Sequence, residues 1–189
     1  MADDLPTLNP ADADEWDAWL AANPDSPGAY ILIAKKGSAV STPTRDDAVE
    51  VALCHGWIDS QARRHDDDTY RQRFTPRRKR SPWSEINCRI AERLIEEGRM
   101  RPAGLAQVEA ARADGRWDKA YPPSSTAEVP ADLAAALDAN PQARRAFDAF
   151  NRQNQYALIF RLSQLQPAGR KRRIDEFVEK VAAGWKPHP

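Results

Sequence analysis

A chain of 189 residues, 41% hydrophobic and 30% charged, is long and apolar enough to bury a core of its own, which excludes a disordered polymer and a disulfide-stapled miniature. Lys and Arg total 28 and Asp and Glu total 28, so the formal net charge is zero and any nucleic-acid role has to rest on a local basic patch. No apolar run approaches the roughly 20 residues of a membrane-spanning helix, and the acidic start of the chain is no signal peptide; the expectation is a cytoplasmic protein with no membrane insertion.

In chain order, the first ten residues read as a tail or extended arm. Asp12 to Ala21 predicts a short helix, with Trp16, Trp19 and Leu20 at i, i+3 and i+4 and acidic residues near its positive end. Residues 29–34 (AYILIA) are the best strand candidate. Thr44 and Asp47 have capping-box spacing and open a largely buried helix that runs through Cys54 to Gly56. Trp57 to Ser60 and Tyr70 to Thr75 read as two strands of an antiparallel hairpin around the polar turn His65 to Asp68. Ser81-Pro82 reads as an N-cap with a proline at the first helical position, opening a helix with Ile86, Ile90 and Leu94 on one stripe. Further helices are expected from Pro102, from Pro130, after Asn140-Pro141, around Tyr156 to Leu162, and finally over Ile174, Phe177, Val178 and Val181. The polar run Asn151 to Gln155 reads as a helix start. The predicted class is α+β: a small antiparallel sheet with helices in residues 1–80, packed on a mostly helical 81–189, as one compact domain of 1–189.

Cys54 and Cys88 lack CxxC spacing and read as free, buried thiols in a reducing compartment. His55 beside Cys54 is no zinc site, because neighbouring helical side chains diverge and further ligands are missing. The common metalloprotease, nucleotide-binding and hydrolase motifs are absent, so neither a metal nor a cofactor is expected.

The chemistry-bearing residues concentrate between Trp57 and Asn87. Residues 71–80 hold six basic side chains and no acidic one. On a strand Arg71, Arg73 and Thr75 share one face and Gln72 and Phe74 the other. Paired guanidiniums suit carboxylate or phosphate, and a helix starting near Ser81 would add backbone N–H donors, which together make an anion site. The alternative is that these arginines offset an acidic head with seven carboxylates and no Lys or Arg before Lys35. A second basic run, Arg170, Lys171, Arg172 and Arg173, opens the last helix, and a solvated face accounts for it equally simply.

Residues 52–60 (ALCHGWIDS), 74–78 (FTPRR) and 81–87 (SPWSEIN), followed by 98–104, 114–118 and the arginine-rich start of the last helix, closely resemble the YdeI/OmpD-associated family, also labelled bacteriocin-protection proteins. The resemblance implies a bacterial cytoplasmic protein and brings no accepted catalytic residues with it. The chain departs from the family at His55, where an aromatic residue is usual, and at Ser60, where glycine is usual, so the backbone at 60 need not take a positive φ here.

The leading functional expectation is a non-enzymatic protection-type protein with a small anionic-ligand groove. Arg71, Arg73 and Arg77 would hold the charge, Trp57 and Trp83 the flat or apolar part, and Asp59 and Asn87 would orient the guest, with Ser81 at the helix start among the binding residues. The enzymatic alternative makes Asp59 an acid/base beside charge-stabilising arginines, and requires that it not be locked to an arginine. Weak nucleic-acid binding would need both basic runs on one side of the fold, and a protein partner docking on the helical half would need an exposed apolar patch.

Overall fold

The computed structural model describes residues 4–165 and 167–188. Among them the elements run β1 (Thr7–Leu8), α1 (Ala13–Ala22), β2 (Ala29–Ala34), α2 (Arg45–Cys54), β3 (Trp57–Arg64), β4 (Thr69–Pro76), α3 (Glu85–Glu96), α4 (Pro102–Ala113), α5 (Ala131–Asp138), α6 (Pro141–Asp148), α7 (Arg152–Ser163) and α8 (Pro167–Ala182). The α+β class holds. The strand order is β1-β2-β4-β3, and the short β1 makes the sheet mixed, since it pairs parallel to β2 while β2·β4 and β4·β3 are antiparallel.

The chain divides into two compact units, one up to Lys119 and one from Ala120. In the first, the expected hairpin forms, with Trp57 opposite Pro76 and Arg64 opposite Tyr70. A bulge between Asp59 and Ala62 interrupts the ladder, and the buried Gln72 amide donates to the freed Ser60 carbonyl at 3.0 Å. Ser60 keeps a negative φ, as no non-glycine among the described residues has a positive one. The other hairpin end is held by Asp66, whose Oδ1 accepts from the backbone N–H groups of Asp68 and Thr69 at 2.9 and 2.6 Å.

One sheet face is the core. Ile31, Ile33, Phe74 and Trp57 are buried there, and α1 packs its Trp16 against Phe74 (5.4 Å between centroids) and edge-on to Trp57 (6.3 Å). Helix α2 starts where expected: Thr44 Oγ1 accepts from the Asp47 N–H at 3.1 Å. Helices α3 and α4 pack on α2 within this unit. Both cysteines are free and buried.

The start of α3 corrects the sequence reading. Ser84, not Ser81, is its N-cap, with Oγ accepting from the Asn87 N–H at 3.1 Å. Ser81 instead closes a tight turn, taking the Arg78 N–H on its Oγ at 2.9 Å. The buried stripe is Asn87, Cys88, Ala91 and Leu94, and Ile86 is exposed. Both serines are locally capable caps, since an N-cap is non-helical and proline suits the position after it; burial of Asn87, Cys88 and Leu94 selects Ser84.

In the second unit α5, α6 and α7 gather around α8. Leu133, Leu137, Phe147, Leu158, Leu162, Ile174, Phe177 and Val181 form their common core. The polar run is the start of α7, with Asn151 Oδ1 accepting from the Asn154 N–H at 2.9 Å. No helix among the described residues is long and apolar enough to cross a membrane.

Candidate functional site

Strand pairing decides which of the expected site residues meet. Arg73 lies directly opposite Tyr30 and Arg71 opposite Leu32, so Arg71 and Arg73 share the sheet face with Tyr30. Trp57 and Asp59 have the register of Phe74 and Pro76 and lie on the other face, toward the core. The expected convergence of Trp57 with the arginines therefore does not occur. Its indole is committed to an aromatic cluster, edge-on to Trp16 and to Trp19.

Asp59 is engaged elsewhere too. Its Oδ2 accepts from Arg45 Nη2 at 2.6 Å, an ion pair from β3 to the first turn of α2. The carboxylate that acid–base chemistry would need is thus held by a guanidinium outside the arginine cluster, which is the condition that counts against the enzymatic alternative.

Beyond the end of β4, Arg77 is buried, lies 3.5 Å from the Trp83 ring centroid and donates from Nη1 to the Pro82 carbonyl at 3.2 Å. The other neighbours of Trp83 are aromatic and cationic in turn: Trp117 at 4.9 Å, and Arg112 over Trp117 at 4.9 Å. Two guanidiniums thus flank a pair of tilted indoles, each cation on a negative ring face. Trp83 is 1% exposed, with the Arg77 guanidinium seated on its ring. Ser81 offers its carbonyl to Arg116 Nη1 at 2.9 Å, and Asn87 is buried in the first turn of α3. The helix-end donors expected near Ser81 are accordingly displaced to Ser84, whose hydroxyl already takes one of them.

What remains on the arginine face is compact. Arg71 places its guanidinium carbon 4.9 Å over the Tyr30 ring. The Nε–H groups of Arg71 and Arg73 and the Tyr30 hydroxyl are all buried with no hydrogen-bond partner, and neither arginine has a carboxylate within ion-pair distance among the described residues. Tyr30 is 1% exposed. Buried donors left unpaired are uncommon, because each forfeits its hydration without replacement. Sequence reading missed Tyr30: alternation along 29–34 is visible, but only the pairing of β2 with β4 brings position 30 beside 71 and 73.

A second polar junction also escaped the sequence. Asp17 of α1 receives His55 Nε2 on Oδ1 at 2.8 Å and is bridged by Arg101, so α1, the end of α2 and the start of α4 meet at one carboxylate. Partial burial pushes this carboxyl up, but the hydrogen bonds and charges of His55 and Arg101 outweigh it and hold Asp17 below its ordinary value. A depressed carboxylate contributes stability above its unfolded-state pKa of 3.8 and loses it as pH falls through the lower folded value. Asp17→Asn is therefore expected to lower the urea midpoint at pH 7 and to leave it nearly unchanged at pH 2.5; an equal loss at both values would show that the charge is not what matters.

In the second unit the basic run is neutralised locally. Arg170 grips Asp132 with two bonds, Nε to Oδ2 at 2.6 Å and Nη2 to Oδ1 at 2.9 Å. Lys171 pairs with Asp175 at 2.9 Å, and Arg172 and Arg173 both pair with Glu176. Exposed pairs of this kind contribute little stability, and with three carboxylates against four cations they reduce the run to one net positive charge, far short of a cationic stripe for a phosphate backbone. Arg170 and Lys171 also border an open hollow of about 640 Å³ between α5 and α8, floored by Ala135, Ala136 and Ile174.

Two family models match the chain, one in each unit. The model described as Domain of unknown function (DUF8412) covers residues 8–107, more than half of the chain, and includes all of the sheet except Thr7, with Tyr30, Arg71 and Arg73 among the residues matched. The model described as Bacteriocin-protection, YdeI or OmpD-Associated covers residues 126–184, from just before α5 to the end of α8. No curated protein and no solved structure matches at a significant level. The motifs around Trp57 and Trp83 that carry the sequence resemblance thus lie within the first match, and the arginine-rich start of α8 within the second. The chain belongs to the DUF8412 family, and within its C-terminal unit residues 126–184 are similar to the bacteriocin-protection, YdeI or OmpD-associated family.

Proposed function

We propose that the protein is a small-anion-binding protein with a protection-type role, and that the guest is held on the sheet face formed by Arg71, Arg73 and Tyr30. The observation that carries this reading is the trio of buried donors without partners on one face, two of them belonging to arginines with no carboxylate within ion-pair distance among the described residues. An anion accepting from both guanidiniums and from the tyrosine hydroxyl would satisfy all three and compensate charge that is otherwise unbalanced. Arg77 packs on the Trp83 ring beyond the end of β4, and neither is assigned a contact to the guest. The protection-type role rests on the family matched by residues 126–184, whereas the anion site belongs to the other unit.

The test is calorimetric titration of sulfate and inorganic phosphate into the full chain and into Arg73→Gln. A charge-assisted hydrogen bond contributes about 1.5–3 kcal/mol, so Arg73→Gln is expected to weaken binding by roughly 10–100-fold. The exposed neighbour Arg78→Gln should bind as the parent does. Equal losses in the two variants would reduce the effect to net charge and overturn the site.

A further inference from the structure

The surroundings of the same face restrict the kind of anion. Arg71 and Arg73 are two positions apart on β4, so their Cα atoms are separated by about 7 Å, and their long side chains can converge on one group. Arginine stays protonated throughout the working pH range, so the two uncompensated guanidiniums present two fixed positive charges. Arg63 lies across from Arg71 on β3 and donates to Gln61 at 3.4 Å. A single carboxylate would leave half of the Arg71/Arg73 charge unbalanced.

The aromatic rings of the region, by contrast, have no face to offer. Tyr30 carries Arg71 on its ring, Trp83 carries Arg77 at 3.5 Å, and Trp57 is on the opposite side of the sheet against Trp16 and Trp19. A nucleobase or other flat ring would find nothing there to stack on, and stacking is what makes bases bind single-strand and nucleotide platforms.

We infer that the guest is a compact dianion of the phosphate class, inorganic or as a monoester, recognised through its doubly ionised head and not through any ring attached to it. The inference rests on the reading of this face as an anion site. The singly and doubly ionised forms of a phosphate monoester exchange near pH 6. Binding of a monoester is then governed by the guest's own ionisation.

The experiment is calorimetric titration of the full chain with sulfate, inorganic phosphate, ribose 5-phosphate and adenosine monophosphate at pH 5 and pH 7. Sulfate is a dianion at both values and serves as the control for any pH effect of the protein itself; its affinity should be flat. Ribose 5-phosphate should bind about tenfold more weakly at pH 5 than at pH 7, following its dianionic fraction. Adenosine monophosphate should match ribose 5-phosphate at each pH within about twofold, and inorganic phosphate should bind comparably at pH 7. Adenosine monophosphate binding more than tenfold tighter than the sugar phosphate would overturn the inference and leave the anion site standing, as would a monoester affinity that does not change with pH. If none of the four anions binds, both the inference and the anion site itself fall.

Discussion

Trp16→Ala is expected to destabilise the first unit by about 3–5 kcal/mol, a large part of the roughly 5–15 kcal/mol that holds a domain of this size folded. The indole is completely buried and stacks on Trp19 at 5.5 Å, while Phe74 and Trp57 close around it. Its Nε1–H also donates to the Ala48 carbonyl of α2 at 3.2 Å, tying α1 to its neighbour. Alanine would leave a cavity and strand that carbonyl's acceptor site, two losses that add. Trp16→Phe keeps much of the packing and forfeits the hydrogen bond, so it should recover more than half of the loss. Urea unfolding followed by far-ultraviolet circular dichroism measures both. A Trp16→Ala effect below 1 kcal/mol would mean that the aromatic cluster does not organise this core.

The second large effect is expected at Gly104, and here the sign is the informative part. In an open helical position glycine to alanine stabilises by up to about 1 kcal/mol, because alanine loses less conformational freedom. In α4 a Cβ at residue 104 would stand 2.5 Å from the Cys54 carbonyl oxygen, 2.6 Å from that of Leu53 and 2.6 Å from Met100 Sδ. Two of these three atoms are backbone and cannot swing aside, so the helix itself must shift from the end of α2. Overpacking of this kind costs about 1–3 kcal/mol or more, which exceeds the propensity gain. Gly104→Ala should therefore destabilise by about 2 kcal/mol. Gly169, in the first turn of α8, has open space where its Cβ would be, and Gly169→Ala should be neutral or slightly stabilising. If both substitutions move the urea midpoint the same way, close approach of α4 to α2 is not what excludes a side chain at 104.

These outcomes also mark where local sequence information ends. Capping and turn chemistry act within four residues, which is why the starts of α2, α6 and α7 at Thr44, Asn140 and Asn151 were legible from composition alone. The one misplaced start, at Ser81, arose because two serines three residues apart are both capable caps. Only the burial of Asn87, Cys88 and Leu94 selects Ser84. The hairpin of β3 and β4 was legible for the same reason, being a local pairing around a polar turn.

The candidate site was legible only in part. Alternation placed Arg71 and Arg73 on one face of a strand from the sequence itself. Nothing local reports that β2 lies beside β4, so Tyr30 could not be brought to them, nor Trp57 taken away to the far face. The partners that engage Asp59 and Asp17 are likewise remote, Arg45 at 14 residues and Arg101 at 84. Arg170 finds Asp132 across 38 residues, turning an apparent basic patch into a set of closed ion pairs.

By itself, then, the sequence determined the α+β class, nearly every element and the arginine-bearing strand, because periodicity, capping and turn residues are properties of neighbouring positions. Tertiary structure alone decided which arginines have no ion-pair partner among the described residues, which indoles disappear into packing and which hydroxyl shares the arginines' sheet face. Those depend on strand order and on charge partners distant in the chain, and a one-dimensional pattern carries neither.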